Sequence, residues 1–114
     1  MTREYEPTER ARELLEYVND QLEQLQRTIT QLTKAAEREE KAKRSYLETL
    51  EQELNEDPAY CDAEIEAILC DTADAIDNRI YNDYYADIEA YKRSIERLKA
   101  DRDIYSFYIK HNYA

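Results

Sequence analysis

Apolar residues near the start of the chain recur at alternating steps of four and three. Ala11, Leu15, Val18, Leu22, Leu25, Ile29, Leu32 and Ala36 succeed one another without interruption. That spacing is the a/d seam of a coiled-coil helix, held over almost four heptads. The seam thins through Glu37–Arg44, where Ala42 is the one apolar residue, and resumes at Tyr46, Leu47, Leu50 and Leu54. The thin stretch still reads as helix. Glu37/Lys41, Glu39/Lys43 and Glu40/Arg44 are i,i+4 pairs in the favoured order, each contributing a few tenths of a kcal/mol.

A second stripe runs through Ile65, Ile68, Leu69, Thr72, Ile76, Ile80, Tyr84, Ile88, Tyr91, Ile95, Leu98, Tyr105 and Ile109. From Ile88 onward it has 3-4 spacing, but between Ile76 and Ile88 every step is four. The stripe drifts around the helix there, which predicts a bend or a second contact face.

Little interrupts these patterns. Pro7 suits a first helical turn. The one internal break is Asn55-Glu56-Asp57-Pro58, with Asp57 as N-cap and Pro58 as the first residue of a second helix. The reading is all-α: helix 1 over about residues 8–54, a turn at 55–57, helix 2 over about 58–110, in one domain of residues 1–114. Two helices of similar length joined by a short turn form an antiparallel coiled-coil hairpin. So thin a seam predicts that two copies dimerise into a four-helix bundle.

Composition bounds the function. The chain has no Gly, which excludes standard phosphate-binding loops and dinucleotide fingerprints, EF-hand loops and the serine nucleophile elbow. Leu, Ile, Val and Phe total only 21 of 114 residues, a level that borders on disorder. The periodicity and eleven Tyr argue for an ordered helical chain instead. No apolar run approaches a membrane span, and residues 1–15 do not read as a secretory leader. A cytoplasmic protein is expected, with Cys61 and Cys70 unpaired, because nine residues along a helix set them too far apart to bridge.

The net charge of −11 is unevenly spread. Residues 1–44 carry ten acids and nine bases, and residues 79–114 carry six and seven. Residues 45–78 carry eleven acids and no base: Glu48, Glu51, Glu53, Glu56, Asp57, Asp62, Glu64, Glu66, Asp71, Asp74 and Asp77. In a hairpin this window is the turn and the adjoining helix ends. Glu51, Glu53 and Glu56 fall at a helix C-terminus, where the dipole disfavours acids. A local rule broken without compensation points to function.

These acids, with Tyr81 and Tyr85 as contact residues, form the candidate site. The expected partner is a basic, nucleic-acid-binding protein, and the expected role is that of a nucleic-acid-mimic inhibitor, of a size that suits a phage or plasmid gene. The competing reading is a coiled-coil scaffold whose acids only keep it in solution. Direct nucleic-acid binding is not expected, since no basic patch is present. Catalysis, cofactors and metals are not expected either. The single His111 and two distant Cys make no zinc site, and Ser45, Ser94 and Ser106 have no base nearby.

Overall fold

The computed structural model describes residues 7–112; expectations for residues 1–6 and 113–114 lie outside it. The described residues contain helices and one connecting turn, with no strand. Helix α1 spans Pro7–Glu56, helix α2 spans Asp62–Ile80, and helix α3 spans Ala86–Asn112. Between α2 and α3 the chain stays helical through one π turn, Tyr81–Tyr85. Every described residue has negative φ, the conformation that residues other than Gly favour.

Two compact units result. One joins residues 31–88, and the other joins residues 1–30 with 89–114. In both, a stretch of α1 pairs antiparallel with the second helical arm, and the turn that joins the arms into the predicted all-α hairpin lies within residues 31–88.

The unit of residues 1–30 and 89–114 is held by the heptad seam. Val18, Leu22 and Ile95 form its buried centre, and Leu25, Ile29, Leu98 and Tyr105 pack around them. Tyr91 is half-buried as well. Ala11 is buried in the same unit, and each of the three large side chains taken from water contributes ~1.5–3 kcal/mol.

The unit of residues 31–88 is a hairpin. Ala36, Leu54, Ile65, Ile80 and Ile88 are its buried residues, and Ile80 is the most enclosed large side chain, 1% exposed. Its turn differs from the expected one. Pro58 does not open a helix. It sits in a β-turn closed by Tyr60 N–H donating to the Asp57 carbonyl at 3.3 Å, while the Asp57 carboxylate accepts from Ala59 N–H at 2.9 Å. Proline's fixed φ suits the second position of such a turn as well as it suits a first helical residue. Helix α2 therefore begins at Asp62 rather than 58, with extended Cys61 as its N-cap. The Cys61 carbonyl accepts the first helical bond from Ile65 N–H at 3.0 Å.

The drift between Ile76 and Ile88 is absorbed by a wide turn, without a break. Ala86 N–H donates to the Tyr81 carbonyl, five residues back. Eight α-helical residues from Ile80 would carry Ile88 ~80° around the axis. One extra residue accommodated in the turn returns it to the seam, where Ile88 is buried.

The thin stretch Glu37–Arg44 is a polar layer of this hairpin. Glu39 and Lys43, expected to pair with each other along α1, pair instead across the hairpin. Arg79 donates to Glu39 at 3.0 Å, and Lys43 donates to Asp77. The Lys43 side chain is only 21% exposed, so its methylenes cover the seam while its ammonium finds a carboxylate.

Candidate partner-binding surface: the acidic hairpin

All eleven acids of residues 45–78 are exposed and lie within the hairpin of residues 31–88. They do not all behave alike. Asp77 is held by Lys43, Asp57 closes the turn, and Glu64 accepts a hydrogen bond from the Cys61 thiol at 3.1 Å. The remaining eight, Glu48, Glu51, Glu53, Glu56, Asp62, Glu66, Asp71 and Asp74, have no hydrogen bond or ion pair among the described residues.

The fold gathers some of these on one side. Glu51, Asp62 and Glu66 line a shallow cavity of about 300 Å³ between the two arms, floored by Ile65 and Leu69. A neighbouring cavity of about 450 Å³ adds Glu48 and shares Glu51, Leu69 and Cys70. It ends at Lys43 and Arg44, the nearest bases before the acidic window. Four carboxylates of the acidic window, with Glu40 before it, thus border two adjoining cavities over a shared apolar floor. Asp62 and Glu66 are one helical turn apart, ~5–6 Å between their Cβ atoms.

Asp71 faces a different groove of about 640 Å³, lined also by Ala42, Tyr46, Thr72 and Ile76 and closed by the Glu39–Arg79 pair. Glu53, Glu56, Glu64 and Asp74 line none of these cavities. Among the described residues, no group of three His, Cys, Asp or Glu converges on a point where a metal ion would sit. The carboxylates are arrayed along a surface.

The charge has an uneven local basis. Asp62 and Glu64 occupy the first turn of α2, where each interacts favourably with the dipole by ~0.3–1 kcal/mol. The last turn of α1 holds no base, so Glu53 and Glu56 act against the dipole there.

The two tyrosines separate. Tyr81 is 45% exposed. Tyr85 is half-buried and lies near Glu40 and Glu37. Burial first, then the charges of Glu40 and Glu37, hold its hydroxyl above the ordinary tyrosine value of 10.0. Tyr85 is therefore partly withdrawn from solvent, beside carboxylates of its own hairpin. Tyr46, on the rim of the larger groove and 54% exposed, is the ring best placed for contact. Sequence reasoning missed it by counting it as seam. The signal was present: Leu47, one position on, takes the seam place four residues after Lys43.

Cys61 and Cys70 are both free and exposed. Among the described residues no helix is long and apolar enough to cross a membrane. No protein-family model, characterised protein or solved structure matches the chain.

Proposed function

We propose that this chain is a binding protein whose acidic hairpin occupies the basic, nucleic-acid-binding surface of a partner protein and blocks it. One observation carries this reading. Eight exposed carboxylates, without partners among the described residues, stand on one hairpin whose residues 45–78 contain no base. A chain that elsewhere balances its charges nearly one for one spends stability here through self-repulsion. The two cavities bordered by Glu48, Glu51, Asp62 and Glu66 present carboxylates over a shared apolar floor. They suit Lys and Arg side chains, whose stems lie on apolar surface while their heads reach carboxylates. The activity is inhibition by occupancy, with no catalytic step, cofactor or metal, exerted in the cytoplasm. A phage or plasmid gene is the source proposed for an inhibitor of this kind.

The test is competitive capture. Wild-type protein and the variant Glu51→Gln/Asp62→Asn/Glu66→Gln are immobilised and exposed to lysate of the source cell. Retained proteins are then eluted with duplex DNA. The expected result is a basic nucleic-acid-binding protein that DNA displaces, that high salt releases, and that the variant fails to retain. Retention indifferent to salt, DNA and the three substitutions would refute the decoy role.

A second reading, self-association as a homodimer or scaffold, is favoured by a separate observation. Among the described residues, Ile104 and Phe107 are the most exposed large apolar side chains, at 62% and 63%.

A further inference from the structure

The heptad seam within the unit of residues 1–30 and 89–114 accounts for one side of α3. Leu98, Tyr105 and Ile109 are half-buried on that side. The opposite side carries a second stripe. Ala100, Ile104, Phe107 and His111 step by four, three and four, and all are exposed. At ~100° per residue they fall within ~60° of one another and ~150° from the seam. The Phe107 and His111 rings already stack on each other, centroids 4.2 Å apart. Among the described residues, nothing covers this stripe.

We infer that the stripe is a homodimer interface, in which α3 of one copy pairs antiparallel with α3 of a second copy. The inference deepens the self-association reading by naming its surface and register.

Three observations favour a second copy over a foreign helix. The first is spacing: a stripe of 4-3-4 steps is the pattern one helix offers another. The second is self-complementarity, which a two-fold interface demands. Read antiparallel, Ile104 of each copy meets Phe107 of the other, and Ala100 meets the ring of His111. In that register the flanking Asp103 of each copy lies beside Lys110 of the other, so two opposite-charge pairs form by symmetry. Asp103 is 73% exposed, with only its neighbour Arg102 as partner at 3.4 Å, and Lys110 is exposed. The third is net charge. Residues 79–114 carry seven bases and six acids, so two copies meet there without the repulsion that the acidic hairpins would impose.

Sedimentation equilibrium of the full chain over a wide concentration range tests this. The wild type is expected to be a reversible monomer–dimer. Ile104→Asp/Phe107→Asp should raise the dissociation constant by at least ~100-fold, as expected for loss of a central apolar anchor. Its circular-dichroism melting as a dilute monomer should match wild type, because both side chains are exposed in the single chain. Asp103→Lys alone and Lys110→Asp alone should each weaken the dimer by ~10-fold or more, since each sets like charges opposite one another twice. The double exchange Asp103→Lys/Lys110→Asp should restore it. A dimer that ignores Ile104→Asp/Phe107→Asp would overturn this interface while leaving self-association standing. A wild type that is monomeric throughout would overturn both. Failure of the double exchange to restore binding would overturn the antiparallel register, and the proposal with it.

Discussion

Deleting Asn82 should leave the fold intact. Ile80 and Ile88 are 1% and 4% exposed, yet they are eight residues apart, a spacing that an unbroken α-helix places ~80° out of line. The π turn Tyr81–Tyr85 takes up the extra residue. Without Asn82, which is exposed, the spacing becomes seven. The α-helical offset then falls to ~20°, the ordinary heptad drift. The expected product is a continuous α-helix with Ile80 and Ile88 still in the seam, and a stability within ~1 kcal/mol of wild type. A matched deletion calibrates the effect. Gln24 is equally exposed but lies in α1, where no wide turn can give up a residue. Its removal turns Leu15, Val18 and Leu22 by ~100° relative to Leu25 and Ile29. At ~1.5–3 kcal/mol per side chain, the loss is roughly 4–9 kcal/mol, comparable to the whole stability of a small domain, ~5–15 kcal/mol. Urea unfolding followed by far-UV circular dichroism measures both. If deleting Asn82 costs as much as deleting Gln24, or more than ~2 kcal/mol, the π turn is not a store for one surplus residue and the register argument is wrong.

The hairpin carries three further expected outcomes. Cys61 sits at the α2 N-cap without a side-chain cap hydrogen bond; Cys61→Ser supplies a capping oxygen and should raise stability by ~0.5–1 kcal/mol in chemical denaturation. The raised Tyr85 hydroxyl favours the protonated form in the fold, so its contribution is fully present below the unfolded value of ~10 and is lost as pH rises through the folded value. Melting curves at stepped pH above 9 should show a steeper fall for wild type than for Tyr85→Phe, and identical slopes would contradict the assignment. Lys43 and Asp77 pair at a site about half exposed on the Asp side. A double-mutant cycle with Lys43→Met and Asp77→Asn should give a coupling of ~0.2–1 kcal/mol that shrinks with added salt, and a coupling of zero at low salt would remove the polar layer from the account.

The helices and their pairing were legible because the 3-4 steps from Ala11 to Ala36 and from Ile88 onward have one structural reading. What escaped depended on partners that are distant in sequence. Glu39 and Lys43 satisfy the i,i+4 rule as well as they satisfy Arg79 and Asp77, and only the hairpin register chooses between them. Asp57-Pro58 fits a helix start and a β-turn equally, because both use the same proline φ. The steps of four from Ile76 to Ile88 announced a misfit without saying how the backbone would resolve it. For the candidate surface, composition alone marked out the acidic window. It could not divide the acids into those bound within the hairpin (Asp57, Glu64 and Asp77) and those left facing solvent. Nor could it place Glu48, Glu51, Asp62 and Glu66 around one shared apolar floor.

The two thiols have a practical consequence. Cys61 and Cys70 are the whole cysteine content of the chain, both are exposed, and both belong to the acidic window. Cys70 borders both carboxylate-lined cavities. A thiol-directed spin label or fluorophore on the native chain therefore reports from the candidate surface and from nowhere else. Retaining Cys70 while replacing Cys61 by Ser turns the protein into a single-site sensor, whose signal tracks whatever enters those cavities.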